Sequence, residues 1–141
     1  MNKKHIVLFD MDGTLTPPRE ELDKKLIPLL RELSLYAEIG IVTGSDIDYV
    51  NSQMKTIIRF SELRYETHLL PCNGTKHYSP PRLSDDKYRL IHEMDMEKYL
   101  GEGCFRQLMM ILASSQENMC YTKIPLTGHF ISYRGSMINW C

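Results

Sequence analysis

The residues best suited to chemistry stand near the front of the chain, in Asp10-Met11-Asp12-Gly13-Thr14-Leu15-Thr16. Two carboxylates are separated by one residue and follow directly on a short apolar run, Ile6 to Phe9. Asp and Gly are also ordinary turn formers, and an Asp-Gly pair occurs in many loops. What sets this pair apart is its position. In open parallel sheets, ligands bind at the carboxyl ends of the strands, so a strand over His5–Phe9 would deliver both acids to that crevice. Burying the approach to two acidic groups is unfavourable unless a cation or hydrogen bonds compensate. A divalent metal is the natural compensator, and hard oxygen ligands favour magnesium.

The elements that must position these acids follow from the apolar pattern. His5 to Phe9 is continuous and rich in β-branched residues, which predicts a strand buried on both faces of a parallel sheet. After Pro17-Pro18, Leu22, Leu26, Leu29, Leu30 and Leu33 recur at helical spacing, with Asp23 as the expected N-cap. Pro28 removes one backbone hydrogen bond early in that helix, predicting a kink or a short first turn. Ala37 to Val42 reads as a second buried strand, followed by a turn at Thr43-Gly44-Ser45-Asp46. Ile47, Val50, Met54 and Ile57-Ile58 continue as one amphipathic helix, and His68 to Pro71 forms a short third strand ending at Asn73-Gly74. Alternation at this spacing argues for an α/β fold with a parallel sheet and right-handed crossovers.

Near Asn73 the pattern changes. Tyr78 to Ser84 is rich in proline and serine and predicts a loop or domain entry. A long helix is expected over Met96 to Ser115, weakened in its first half by Gly101 and Gly103. Tyr121 to Ile124 and His129 to Tyr133 read as strands, and Arg134-Gly135-Ser136 as a turn feeding Met137 to Trp140. The expected organisation is a parallel-sheet core over residues 1–74 and the first part of an α+β domain over 75–141.

Composition bounds the partners. The 141 residues suffice for an ordinary domain, and a formal net charge of −1 gives no reason to expect nucleic acid or an anionic membrane. The apolar run before Asp10 is too short for a secretion signal or a membrane span. Cys72, Cys104, Cys120 and Cys141 are scattered without a C-x-x-C pair, so free thiols in a reducing cytoplasm are the simpler reading than a disulfide framework or zinc site.

The segment Leu8-Phe9-Asp10-Met11-Asp12-Gly13-Thr14-Leu15-Thr16 resembles the first motif of the haloacid dehalogenase superfamily. That resemblance implies Asp10 as the nucleophile that becomes an aspartyl phosphate, and Asp12 as the general acid and base for the sugar oxygen. It also implies magnesium held by the Asp10 carboxylate and the Asp12 backbone carbonyl. Phosphoryl transfer rests on such positioning and electrostatics, so few protein groups suffice. Thr43 occupies the place of the superfamily's second motif, a small hydroxyl residue that binds a nonbridging phosphate oxygen beside a helix N-terminus. The structural alternative at this place is an ordinary N-cap by Ser45.

The longer stretch through Pro17-Pro18-Arg19 is similar to the start of eukaryotic-type phosphomannomutases, and implies that Arg19 contacts substrate. Gly40-Ile41-Val42-Thr43-Gly44-Ser45-Asp46 resembles their G-G-S-D segment, with Thr43 where they carry Gly, so Ser45 and Thr43 both stand as phosphate ligands. Asn73-Gly74 matches the entrance to their cap domain, and Thr127 to Cys141 resembles a cap stretch that makes Arg134 a substrate-binding arginine. Arg suits that task because its planar fork pairs bidentately with phosphate. The implied fold is a haloacid dehalogenase-like core with an α+β cap, both incomplete here because relatives continue to a basic third motif and further acidic metal ligands. The implied reaction interconverts mannose 6-phosphate and mannose 1-phosphate, primed by a hexose 1,6-bisphosphate. The implied partners are small hexose phosphates and a second copy met through the cap. The alternatives are a phosphatase using the same two aspartates with water as acceptor, or a truncated non-catalytic relative.

Overall fold

The computed structural model describes residues 5–84, 86–119 and 129–140. The chain divides into two compact units, Met1–Glu93 and Met94–Cys141.

In the first unit, β1 (Ile6–Asp10), β2 (Glu38–Val42) and β3 (Thr67–Leu70) pair in parallel, and β4 (Lys76–Ser79) and β5 (Arg89–Glu93) extend the sheet antiparallel in the order β1-β2-β3-β4-β5. Helices α1 (Leu26–Ser34), α2 (Ile47–Gln53) and α3 (Lys55–Phe60), with a 3-10 turn at Glu62–Tyr65, supply the covering layer. Ile39 and Ile41 from β2 and Leu69 from β3 meet Leu30, Val50, Met54, Ile57 and Leu63 in one buried cluster. Side chains alternate across a strand, so these residues define the covered face. Ile6, Leu8 and Gly40 lie on the other.

That second face corrects the expectation of a doubly buried β1. Ile6 and Leu8 are 48% and 52% exposed. Among the described residues β1 pairs with β2 alone, and the helices of this unit pack against the opposite face. The β-branched run therefore marks a strand without saying how many of its faces are covered.

Local chemistry explains most other departures. Asp23 does not cap α1 from the N-cap position: its Oδ1 accepts from the Lys25 N–H at 2.9 Å, and the helix opens at Leu26. Pro28 then falls in the first turn, where its missing N–H has no intrahelical partner to lose, so the bond expected to vanish was never there. The single helix expected from Ile47 to Ile58 is broken at Met54, with φ −95° and ψ 14°. Met54 is nevertheless fully buried, which is why the apolar phase runs straight through.

The hairpin β4–β5 was not legible. Its first strand ends just before Pro80-Pro81, and every residue of β5 is exposed, so no buried face imprints a period on its sequence. The sheet thus continues past residues 74–75, and the compact units part at Glu93 and Met94.

The second unit contains α4 (Met96–Leu100), α5 (Glu102–Met119) and a hairpin of β6 (Ile131–Tyr133) and β7 (Ile138–Trp140). The long helix is interrupted at Gly101, whose φ of +76° only glycine adopts readily. Trp140 Nε1 donates to Gln116 Oε1 at 3.0 Å, tying β7 to α5. The strand expected at Tyr121 to Ile124 lies outside the described residues.

Candidate active site

Parallel pairing in strict register, Asp10 opposite Val42 and Val42 opposite Leu70, brings the carboxyl ends of β1, β2 and β3 to one edge of the sheet. Three loops leave that edge together: Met11–Thr16, Thr43–Asp46 and Pro71–Gly74.

The first loop is built on one carbonyl. Met11 O accepts from the N–H groups of Leu15 at 3.1 Å and Thr16 at 3.0 Å and from Thr16 Oγ1 at 3.2 Å. Gly13 N–H donates to Thr16 O at 2.7 Å, and its φ of +81° lets the chain reverse there. Met11, Leu15 and Thr16 are buried and anchor the turn in the core, while Asp10 and Gly13 stay exposed. The Asp10 carboxylate and the Asp12 carbonyl have no partner among the described residues. The Asp12 carboxylate is engaged through a single oxygen. Its Oδ1 accepts from the Arg19 N–H at 3.1 Å and from Gln53 Nε2 at 2.9 Å. Arg19 takes the left-handed region with φ 62°, rare for a residue with a side chain, and in doing so turns its N–H onto Asp12.

The second and third loops hold each other. Thr43 is 4% exposed, and its Oγ1 accepts from the Ser45 N–H at 3.1 Å. The Ser45 hydroxyl is less buried and without a partner among the described residues. Asp46, not Ser45, caps α2, accepting from the Tyr49 N–H at 3.0 Å. After β3, Cys72, Asn73 and Gly74 all have positive φ, at 53°, 56° and 79°. This rare run aims two donors at the second loop: Cys72 N–H reaches Ser45 O at 2.9 Å, and Asn73 N–H reaches Thr43 O at 2.8 Å.

Asp10, Asp12, Arg19, Thr43 and Ser45 therefore belong to one edge of the first unit. Arg134 belongs to the second unit, where its N–H donates to Met137 O at 2.9 Å across the β6–β7 turn. Sequence reading placed Asn73-Gly74 at the end of β3 but missed that Cys72 shares their positive φ. It also missed Gln53, for which a glutamine at the end of an apolar helix face was the signal. A cavity of about 620 Å³ lies elsewhere, bordered by Tyr65, Ser79, Arg82 and Arg89 at the opposite end of the sheet. The motif residues take no part in it.

The donor chemistry at the motif edge suits magnesium. An unpartnered carboxylate on Asp10 and an open carbonyl on Asp12 are hard oxygen ligands two residues apart in the chain. Among the described residues no group of three or more His, Cys, Asp or Glu converges on them.

No family model matches the chain. Its fold matches solved structures: 95% of it superposes on 38% of a Plasmodium falciparum IMP-nucleotidase mutant with a TM-score of 0.69 at 13% identity. It also matches a haloacid dehalogenase-like hydrolase from B. subtilis with a TM-score of 0.57 and 20% identity, over 79% of this chain and 34% of that one. The chain has the haloacid dehalogenase fold. In sequence it is 47% identical over 136 residues to a phosphomannomutase of Arabidopsis thaliana, covering 95% of this chain and 49% of the relative. It is 30% identical over 139 residues to phosphomannomutase 1 of Mus musculus, covering 95% of this chain and 47% of the relative. The chain is thus similar in sequence to phosphomannomutases and spans about half the length of these relatives.

Proposed function

We propose that the chain carries the phosphoryl-transfer half-site of a phosphomannomutase-like enzyme that interconverts hexose 6-phosphate and hexose 1-phosphate through an aspartyl phosphate on Asp10. The observation that carries the reading is the exposed, unpartnered Asp10 carboxylate at a strand terminus, two residues before an Asp12 held by one oxygen.

In the forward step an Asp10 oxygen bonds to phosphorus while the bond from phosphorus to the sugar oxygen breaks. Asp12 gives its proton to that leaving oxygen. In the second step Asp12 takes a proton from the acceptor hydroxyl, which attacks the phosphorus and restores the Asp10 carboxylate. Magnesium, held by the Asp10 carboxylate and the Asp12 carbonyl, would neutralise phosphate charge that the nucleophile otherwise repels. Ser45 is the better placed phosphate donor of the two hydroxyls, because Thr43 is more deeply buried and its oxygen already accepts from the Ser45 N–H. Arg19, with no side-chain partner among the described residues, and Arg134 are proposed to bind the substrate's phosphates. A hexose bisphosphate would prime the phosphoenzyme.

The test is adduct formation on the full-length protein with magnesium and either beryllofluoride or hexose bisphosphate, mapped by mass spectrometry. The adduct is expected on Asp10 and absent from Asp10→Asn, with the circular dichroism spectrum unchanged. An adduct on another residue removes the assignment, and phosphate release without transfer to a hexose phosphate selects a phosphatase instead.

A further inference from the structure

We propose that Gln53 is a positioning residue for Asp12: it fixes the carboxylate through Oδ1 and so makes Oδ2 the oxygen that gives and takes the proton. The inference rests on the phosphotransferase reading above and goes beyond it by naming the working atom and the group that selects it.

Gln53 closes α2, forty-one residues from Asp12 in the chain, and only the packing of that helix under the motif loop brings the two together. It is 3% exposed. Its Nε2 donates to Asp12 Oδ1 at 2.9 Å, and its backbone carbonyl accepts from the Leu22 N–H at 3.1 Å. The amide cannot face the other way, because its oxygen would then meet an acceptor-only carboxylate. With the amide in this orientation Oε1 is buried and has no partner among the described residues. A side chain serving only to fill the core would be better apolar, since a buried amide with one unsatisfied atom is unfavourable. The amide is kept in spite of that atom, and the bond it makes is to Asp12.

The second donor completes the selection. The Arg19 N–H reaches the same Oδ1 at 3.1 Å from a left-handed backbone. Oδ1 therefore accepts two hydrogen bonds from donors on separate segments, while Oδ2 has no partner among the described residues. A proton placed on Oδ1 would displace one of those donors; a proton on Oδ2 displaces nothing. A carboxylic acid gripped by one oxygen can neither rotate nor exchange its two oxygens without breaking both bonds. It is preorganised to deliver a proton from Oδ2.

Two measurements test this. In isotope-labelled protein, one Gln53 Nε2 proton should resonate downfield of an exposed glutamine, and Asp12→Ala should remove that displacement. An unshifted Gln53 amide in the wild type removes the contact and the proposal. The second measurement uses the full-length protein and two donors of different leaving-group demand. A hexose phosphate leaves as an alkoxide that needs a proton, whereas p-nitrophenyl phosphate leaves without one. Gln53→Met, nearly isosteric and unable to donate, should slow phosphorylation of Asp10 by hexose phosphate by about 10- to 100-fold, the scale of a misaligned general acid. The same variant should lose far less with p-nitrophenyl phosphate. Equal losses for both donors would make Gln53 a structural residue, and no loss for either would make it idle. A wild type that forms no Asp10 adduct with either donor would instead remove the phosphotransferase reading itself.

Discussion

Replacing Asn73 by alanine tests whether the run of left-handed residues after β3 holds the site's second loop. Asn73 has φ 56°, and its side chain makes no hydrogen bond among the described residues. Its contribution is therefore conformational. Asn tolerates the left-handed region, whereas Ala there costs about 1 kcal/mol or somewhat more because Cβ crowds the carbonyl oxygen. Glycine carries no such penalty. Asn73→Ala should therefore lose about 1 kcal/mol and Asn73→Gly close to nothing, an ordering opposite to the one expected for extended backbone. With a urea slope near 2 kcal/mol/M, the alanine variant's midpoint should fall by about 0.5 M at unchanged slope. The loss should also be local. The Asn73 N–H bonds to Thr43 O at 2.8 Å and the Cys72 N–H to Ser45 O at 2.9 Å, so both amides should exchange faster in Asn73→Ala while those of α1 keep their rates. Equal losses for alanine and glycine, or unchanged exchange at Cys72, would refute the idea that this turn is what clamps the Thr43–Asp46 loop.

Thr67 is fully buried with Oγ1 unpartnered among the described residues, so Thr67→Val should raise stability by about 1 kcal/mol in the same denaturation assay. Stability should also decline on mild acidification because of His77, whose proton affinity is lowered chiefly by burial and then by the charges of His68 and His92. Below the ordinary histidine value of 6.5 the unfolded state holds more protons than the folded one, so stability falls with pH across that window and is level above it. His68 Nδ1 lies 2.8 Å from His77 Nε2, with Glu38 3.4 Å from the far side of His68, and His77→Gln should flatten the slope; an unchanged slope would place its origin elsewhere. Arg134→Ala in the full-length protein should weaken hexose phosphate binding by about 2 kcal/mol while sparing p-nitrophenyl phosphate, and equal losses would point to a role in the β6–β7 turn alone.

The sequence by itself determined the local pieces. Asp10 and Asp12 two residues apart after an apolar run mark the end of a strand, because a strand leaves its next residues at a predictable edge of the sheet. The same holds for Thr43 to Asp46 and for Asn73-Gly74. Apolar runs located the three parallel strands, and helical periodicity located α1, each within a few residues. The apolar pattern failed for β5, which is exposed throughout, and for the break at Met54, where the apolar phase continues across a backbone change. Tertiary structure alone decided what touches what. Only the register of β1, β2 and β3 sets the three loops side by side. Only the packing of α2 carries Gln53 to Asp12, and only the backbone of Arg19 turns its N–H onto the same oxygen. Those contacts depend on long-range geometry that neither spacing nor residue type encodes, which is why the Asp10–Asp12 pair could be singled out from the sequence while the Gln53 amide that meets Asp12 could not.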